Sequence, residues 1–158
     1  VLVTGHRREN HGKGFESICR ALKILALENK NRLIIYPVHL NPKVQEPVKR
    51  ILSNLKNVFL INPLAYQDFI WLMNRSKIII TDSGGIQEEA PSLNKPVLVA
   101  RDVTERMEGI DAGCAILVGT DTNKIIDKVT ELFNSRTFSS SGTRPDSWVW
   151  YSQIHIYL

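Results

Sequence analysis

With 158 residues, 43% of them hydrophobic and 23% charged, the chain has the composition of one globular domain able to bury a sizeable core. The formal net charge of +4 comes from basic residues scattered among acids, with no basic and aromatic stripe, which argues against nucleic acid and suits an anionic metabolite. Two cysteines outside any metal-ligand spacing read as reduced thiols of a cytoplasmic protein with no metal site, and no apolar run is long enough to span a bilayer.

Val1-Leu2-Val3-Thr4 is a short apolar strand stopped by Gly5. The polar, glycine-rich run His6–Gly14 follows, where open α/β sheets bind ligands, beyond the carboxyl end of a strand. His6, next to the glycine, is a candidate ligand contact, whereas Arg7 and Arg8 serve a solvated turn and a ligand site equally well. Phe15, Ile18, Cys19, Leu22, Leu25 and Ala26 recur at helical spacing and predict an amphipathic helix over Phe15–Glu28. Arg32–Val38 is the second strand. It ends at His39, a second histidine at a strand end, and Asn41-Pro42 then supplies an N-cap with proline at the first helical position. Asn57–Ile61 is the third strand. Tyr66–Asn74 reads as a helix, and Phe69 near its start is either core or a ring on which a base stacks.

The most informative stretch is Ile78–Leu93. Ile78-Ile79-Ile80 is a buried-strand signal, Thr81–Gly85 a tight turn, and the residues after Gly85 a helix with Ile86, Ala90 and Leu93 on one face. Gly84 and Gly85 let a ligand approach the backbone, and the free N–H groups of the helix start, with the Ser83 hydroxyl, suit a phosphate. Glu88 or Glu89, one turn further on, can accept from sugar hydroxyls. The same Ser-Gly-Gly is also an ordinary strand-to-helix turn with a serine cap. It is neither the dinucleotide fingerprint nor a Walker loop, since no lysine follows the glycines, so no nicotinamide or P-loop cofactor is expected.

Lys95–Ala100 is the fifth strand, and the charged loop Arg101–Gly109 follows it. Arg106 there offers a forked donor to a diphosphate, or equally a partner to Glu105 or Glu108. Gly113–Val118 is the last strand and Lys124–Phe133 the last amphipathic helix. From Asn134 the pattern is lost: the Ser-rich and Trp-rich residues 134–158 are expected to be a poorly specified or replaced tail. Strand and helix alternate six times, which predicts an α/β domain over residues 1–133 with a doubly wound parallel sheet of the Rossmann kind. The polar clusters all follow strands, so a single pocket at one sheet edge is the economical arrangement.

These residues carry a resemblance. Thr4-Gly5-His6-Arg7-Arg8-Glu9-Asn10, Tyr36-Pro37-Val38-His39-Leu40-Asn41-Pro42, Thr81 through Leu93, and Thr104-Glu105-Arg106 together resemble the C-terminal domain of the non-hydrolysing bacterial UDP-N-acetylglucosamine 2-epimerases, two-domain enzymes with a fold like the GT-B glycosyltransferases. The resemblance implies interconversion of UDP-GlcNAc and UDP-ManNAc by elimination of UDP to 2-acetamidoglucal and its re-addition. It needs no cofactor. It places His6 at the diphosphate and Arg106 at the diphosphate or the sugar, both as catalytic groups, with Ser83, Gly84 and Gly85 at the phosphates, Glu89 at the ribose, and Phe69 with the backbone near Leu64 at the uracil. Arg7 and His39 match residues that touch an activating second UDP-GlcNAc. The proton at sugar C2 falls to carboxylates of an N-terminal catalytic domain missing from this chain, so the chain is expected to be inactive alone. A cytoplasmic homodimer with no nucleic-acid or membrane partner is the expected setting. Two departures stand out: Met107 replaces the family's usual proline, and the family's Asn-Pro-Tyr-Gly-Asp-Gly stretch is missing near the end. The alternatives are the nucleotide-sugar-binding half of a GT-B glycosyltransferase and a non-catalytic nucleotide-sugar-binding fragment.

Overall fold

The computed structural model describes residues 1–135, and the expected tail lies outside the described residues but for its first two positions. Six strands form one parallel sheet: β1 (Leu2–Thr4), β2 (Ile34–Pro37), β3 (Val58–Ile61), β4 (Ile79–Thr81), β5 (Val97–Val99) and β6 (Ala115–Leu117). Their order is β3-β2-β1-β4-β5-β6. Successive strands step outward in one direction from β1 and in the other from β4, so the order reverses between these two neighbours. A doubly wound sheet leaves its ligand crevice at that reversal, beyond the carboxyl ends.

The strands alternate faces with period two. Val3, Ile34, Tyr36, Ile80 and Leu98 point into a large core with Phe15, Leu22 and Leu25 of α1 (Lys13–Glu28), Val44 and Val48 of α2 (Pro42–Leu52), and Ile125 and Val129 of α6 (Thr122–Asn134). Leu2, Ile79, Val97 and Val99 point the other way, against Met73 of α3 (Tyr66–Arg75) and Ala90 of α4 (Gly84–Ser92). Burying both faces is what makes these strands read as unbroken Val and Ile runs. The short helix α5 (Met107–Asp111) precedes β6.

Several boundaries differ from the sequence expectation, among them the start of α1 at Lys13 rather than Phe15, and three more bear on the site and the helix caps. Gly84 and Gly85 are the first two residues of α4 rather than part of the turn, which puts their amides at the open end of a helix. The loop after β5 ends in the helical residues 107–111 instead of running on to Gly109. The last helix starts two residues earlier, at Thr122, because Asp121 caps it by accepting from the Lys124 amide at 2.7 Å. Asn41 caps α2 as expected, accepting from the Lys43 amide at 3.0 Å.

Candidate functional site

The site begins where β1 and β4 end. Thr4 lies opposite Thr81 in the ladder, so the two strands release their chains at the same level. The residue after Thr81 is Asp82, 1% exposed. Its Oδ2 accepts from the backbone amides of Arg7 at 2.9 Å and His6 at 3.0 Å and from Asn10 Nδ2 at 3.2 Å. Asn10 in turn donates to the carbonyl of Ala100, beyond β5, at 3.0 Å. One buried carboxylate therefore folds the loop after β1 over the end of β4 and ties both to β5, and its charge is met by N–H dipoles.

Gly5 makes that close approach possible. A Cβ there would lie 3.2 Å from both Phe15 Cε1 and Tyr36 Oη, and 3.5 Å from Asp82 Oδ2. Tyr36 is buried, its hydroxyl pushed well above the usual tyrosine range by that burial, and it donates to the Gly5 carbonyl at 3.4 Å. His6 leaves this point half-exposed, with Nδ1 3.7 Å from Asp82 Oδ1 and its ring stacked on His39, centroids 5.5 Å apart. His39 Nδ1 accepts from the Asn41 amide at 3.1 Å.

Beyond Asp82 comes the start of α4, and three charged side chains gather over it. A Cβ placed on Gly84 would meet Glu105 Oε1 at 3.5 Å, Arg7 Nη2 at 3.6 Å and Arg106 Nε at 3.8 Å. Arg106 pairs with Glu88 at 2.9 Å, rather than with Glu105 or Glu108. Arg7 lies 3.9 Å from Glu105, whose other oxygen is held by Arg101 at 2.9 Å. Glu105 is kept below the usual carboxylate range, first by hydrogen bonding to its own backbone amide and then by Arg101 and Arg7. Ser83 makes no side-chain cap bond, and its amide donates to Thr81 Oγ1 at 3.0 Å. Among the described residues the amides of Gly84 and Gly85 have no protein acceptor. Two guanidinium groups beside an open helix start make a place for an anion.

The position of Arg106 is set by a buried polar relay. Thr104 Oγ1 donates to Gln87 Oε1 at 2.7 Å and accepts from the Arg106 amide at 3.1 Å, while Gln87 Nε2 donates to the Ser83 carbonyl at 3.3 Å. Gln87 and Thr104 are 2% and 5% exposed, so this relay works without water.

Thus His6, Arg7, Ser83, Gly84, Gly85 and Arg106 come together, and His39 joins them through His6. Glu89 sits half-buried on α4 with Oε2 out of contact with water and without a hydrogen-bond donor. Leu64 lies elsewhere, in the wall of an apolar groove of about 720 Å³ with Phe59 and Trp71, and Phe69 is half-buried against the Met73 core. Asp82, Asn10, Gln87 and Thr104 were not legible as site residues in the sequence. The one available signal was a carboxylate at a strand end beside an expected anion site, a charge that must have its own partners. The described residues hold no group of three or more His, Cys, Asp or Glu able to bind a metal, and no helix among them is long and apolar enough to cross a membrane.

A family model described as UDP-N-acetylglucosamine 2-epimerase matches residues 1–148. The UDP-N-acetylglucosamine 2-epimerase of Escherichia coli is 61% identical over 132 residues, which cover 84% of this chain and 35% of that protein. The Campylobacter jejuni enzyme of the same name is 58% identical over 136 residues, covering 86% and 36%. Among solved structures, the Neisseria meningitidis UDP-GlcNAc 2-epimerase bound to UDP-GlcNAc superposes with a TM-score of 0.86 at 44% identity, over 97% of this chain and 42% of that one. The S. aureus MnaA structure with UDP gives 0.83 at 46% identity, over 87% and 38%. The kitacinnamycin glycotransferase, 12% identical with a TM-score of 0.66, shares the fold alone. The chain spans little more than a third of the length of the curated relatives it matches and corresponds to their C-terminal part. It belongs to the UDP-N-acetylglucosamine 2-epimerase family.

Proposed function

We propose that this chain is the UDP-binding part of a UDP-N-acetylglucosamine 2-epimerase that interconverts UDP-GlcNAc and UDP-ManNAc. The observation that carries the reading is the cluster at Gly84, where Arg7 and Arg106 stand within 4 Å of a Cβ position above the open amides of α4. The diphosphate sits there, on the amides of Gly84 and Gly85 with Ser83, held by Arg106 and His6. Breaking the bond from sugar C1 to the diphosphate oxygen puts negative charge on the leaving UDP. Donors fixed in advance by a helix start and a positioned arginine stabilise that charge more in the transition state than in the ground state.

Glu89, half-buried on α4 a little over one turn beyond the helix start, takes the ribose hydroxyls as an acceptor. Phe69 and the backbone at Leu64 take the uracil, and Arg7, which faces the diphosphate as well, takes a second, activating UDP-GlcNAc together with His39. The proton leaving sugar C2 needs a base across from the nucleotide. The exposed carboxylates Glu88 and Glu105 lie beside the diphosphate itself, on the nucleotide's side and paired with Arg106 and Arg101, so that base is assigned to the rest of the full-length protein. Residues 1–133 form the nucleotide-binding domain, and the full-length enzyme works as a cytoplasmic homodimer, which light scattering coupled to size exclusion tests.

Isothermal titration of this chain tests the diphosphate site directly. UDP binds, and uridine binds at least about tenfold more weakly, the loss expected when one or two charge-assisted hydrogen bonds are removed. Equal affinity for the two, or no heat with UDP from a folded chain, refutes the reading.

A further inference from the structure

We propose that Asp82 is a positioning residue for His6: its buried carboxylate fixes the imidazole with the proton on Nδ1 and leaves Nε2 as the nitrogen presented to the ligand. The proposal rests on the diphosphate site described above and adds a residue to it.

A buried carboxylate is costly, and holding two backbone amides does not require one, since a neutral amide or hydroxyl oxygen also accepts. Asp82 is nevertheless ionisable, 1% exposed, and lies two residues before the helix start that is to hold an anion. Its charge needs a use. Oδ2 is occupied by three donors, the Arg7 amide, the His6 amide and Asn10 Nδ2. Oδ1 receives only a shared bond from the His6 amide at 3.1 Å, and its remaining capacity faces His6 Nδ1 at 3.7 Å. Among the described residues His6 is the one group within ion-pair distance of Asp82 that can carry a positive charge.

Geometry on the other side of the ring completes the case. Asn10 anchors the carboxylate to Ala100 beyond β5, so its direction is set by the sheet and not by the loop that carries His6. The ring of His39 stacks on His6 with an interplanar angle of 19° and confines its tilt. His39 Nδ1 is already an acceptor, from the Asn41 amide, so in the neutral pair the proton of His39 is on Nε2. An imidazole whose Nδ1–H faces a carboxylate is held in one tautomer and one orientation, so that a proton it takes up from solvent enters at Nε2. At the leaving diphosphate, that Nε2–H is a donor to developing negative charge.

Two measurements on the 158-residue chain test this. The first needs no nucleotide: long-range proton–nitrogen correlation on 15N-labelled protein, above the titration of the ring, reads the His6 tautomer. Nδ1–H is expected in the wild type, changing to the Nε2–H form of an unconstrained imidazole in Asp82→Asn, and Nε2–H in the wild type overturns the proposal. The second is a cycle of UDP affinities for wild type, Asp82→Asn, His6→Ala and the double variant. Asp82→Asn is expected to weaken UDP about tenfold when His6 is present and less than about twofold when it is absent, the coupling of groups that act together. Independent losses would assign Asp82 to the fold alone and overturn the proposal. If Asp82→Asn does not fold, the wild-type tautomer decides. A wild type that shows Nδ1–H but binds no UDP refutes the diphosphate reading while leaving the Asp82–His6 pairing intact.

Discussion

Gly84→Ala separates the role of the helix start in folding from its role in binding. Gly84 has ordinary helical backbone geometry, and a Cβ there meets its three nearest neighbours at 3.5, 3.6 and 3.8 Å, plain van der Waals distances. Alanine is a better helix former and restricts the unfolded chain, so the substitution is expected to leave stability unchanged or raise it by up to about 1 kcal/mol. Binding responds in the opposite direction. A phosphate oxygen must come within about 2.9 Å of an amide nitrogen, and the new methyl occupies the space between Arg7, Arg106 and that amide. Losing one charge-assisted hydrogen bond costs about 1.5–3 kcal/mol, which corresponds to an affinity for UDP about 10- to 150-fold weaker. Urea denaturation followed by circular dichroism gives the first quantity and isothermal titration the second. Wild-type affinity in Gly84→Ala, or a fold destabilised in step with lost affinity, would refute the placement of the phosphate.

Other substitutions probe the charges and the relay around that point. Glu105→Gln releases Arg7 and Arg101 from a shared carboxylate and is expected to tighten UDP about two- to fivefold, as for an exposed ion pair; unchanged titration would show that Glu105 does not compete for the site. Because Glu105 is held below its ordinary value of 4.5, the stability it contributes is present above that pH and is lost as pH falls through the lowered folded value. Acid denaturation of Glu105→Gln should lack that part of the slope. Thr104→Val leaves Gln87 Oε1 without its donor and should cost about 1–3 kcal/mol in urea denaturation and weaken UDP, while Thr104→Ser keeps both; equal effects of the two would show that the Thr104 hydroxyl does not position Arg106. Burial pushes the Cys19 thiol up to about 12 and raises that of Cys114, so at pH 8 a disulfide reagent should titrate neither in the folded chain and both in urea. Rapid modification of the native chain would contradict the packing around α1 and β6.

What could be read in advance was what repeats with a period. The Val and Ile runs announce strands buried on both faces, and Phe15 through Ala26 announce α1 by their spacing, because both signals come from many residues agreeing. Topology then placed His6 and Gly84 at one edge, since the loops after β1 and β4 meet wherever a sheet winds outward in two directions. Asp82, Gln87 and Thr104 were not readable, because each acts through one partner far off in the chain. Asp82 bonds residues 75 and 76 positions away, and Thr104 bonds Gln87 across 17. A single polar residue carries no period, and its partner is known only once the strands are in register. The choice of partner for Arg106 failed for the same reason: Glu105 and Glu108 are near in sequence, whereas Glu88 is near only because α4 and the loop after β5 lie side by side.

The negative charges around the helix start are of two kinds, and the difference decides what a ligand can displace. Glu88 and Glu105 are about half-exposed and hold Arg106 and Arg7 through pairs that water and salt screen, at 2.9 and 3.9 Å. Exchanging either carboxylate for a diphosphate oxygen costs little, because the released carboxylate is resolvated and the guanidinium gains a ligand that also reaches the α4 amides. Asp82 is the opposite case. Its partners are amides of the loop it folds, and it is out of water, so displacing it would unmake the turn that delivers His6 and Arg7. An incoming anion therefore meets exchangeable carboxylates on the outer side and a fixed one beneath. The arginines are free to turn toward it while the histidine stays where the sheet holds it.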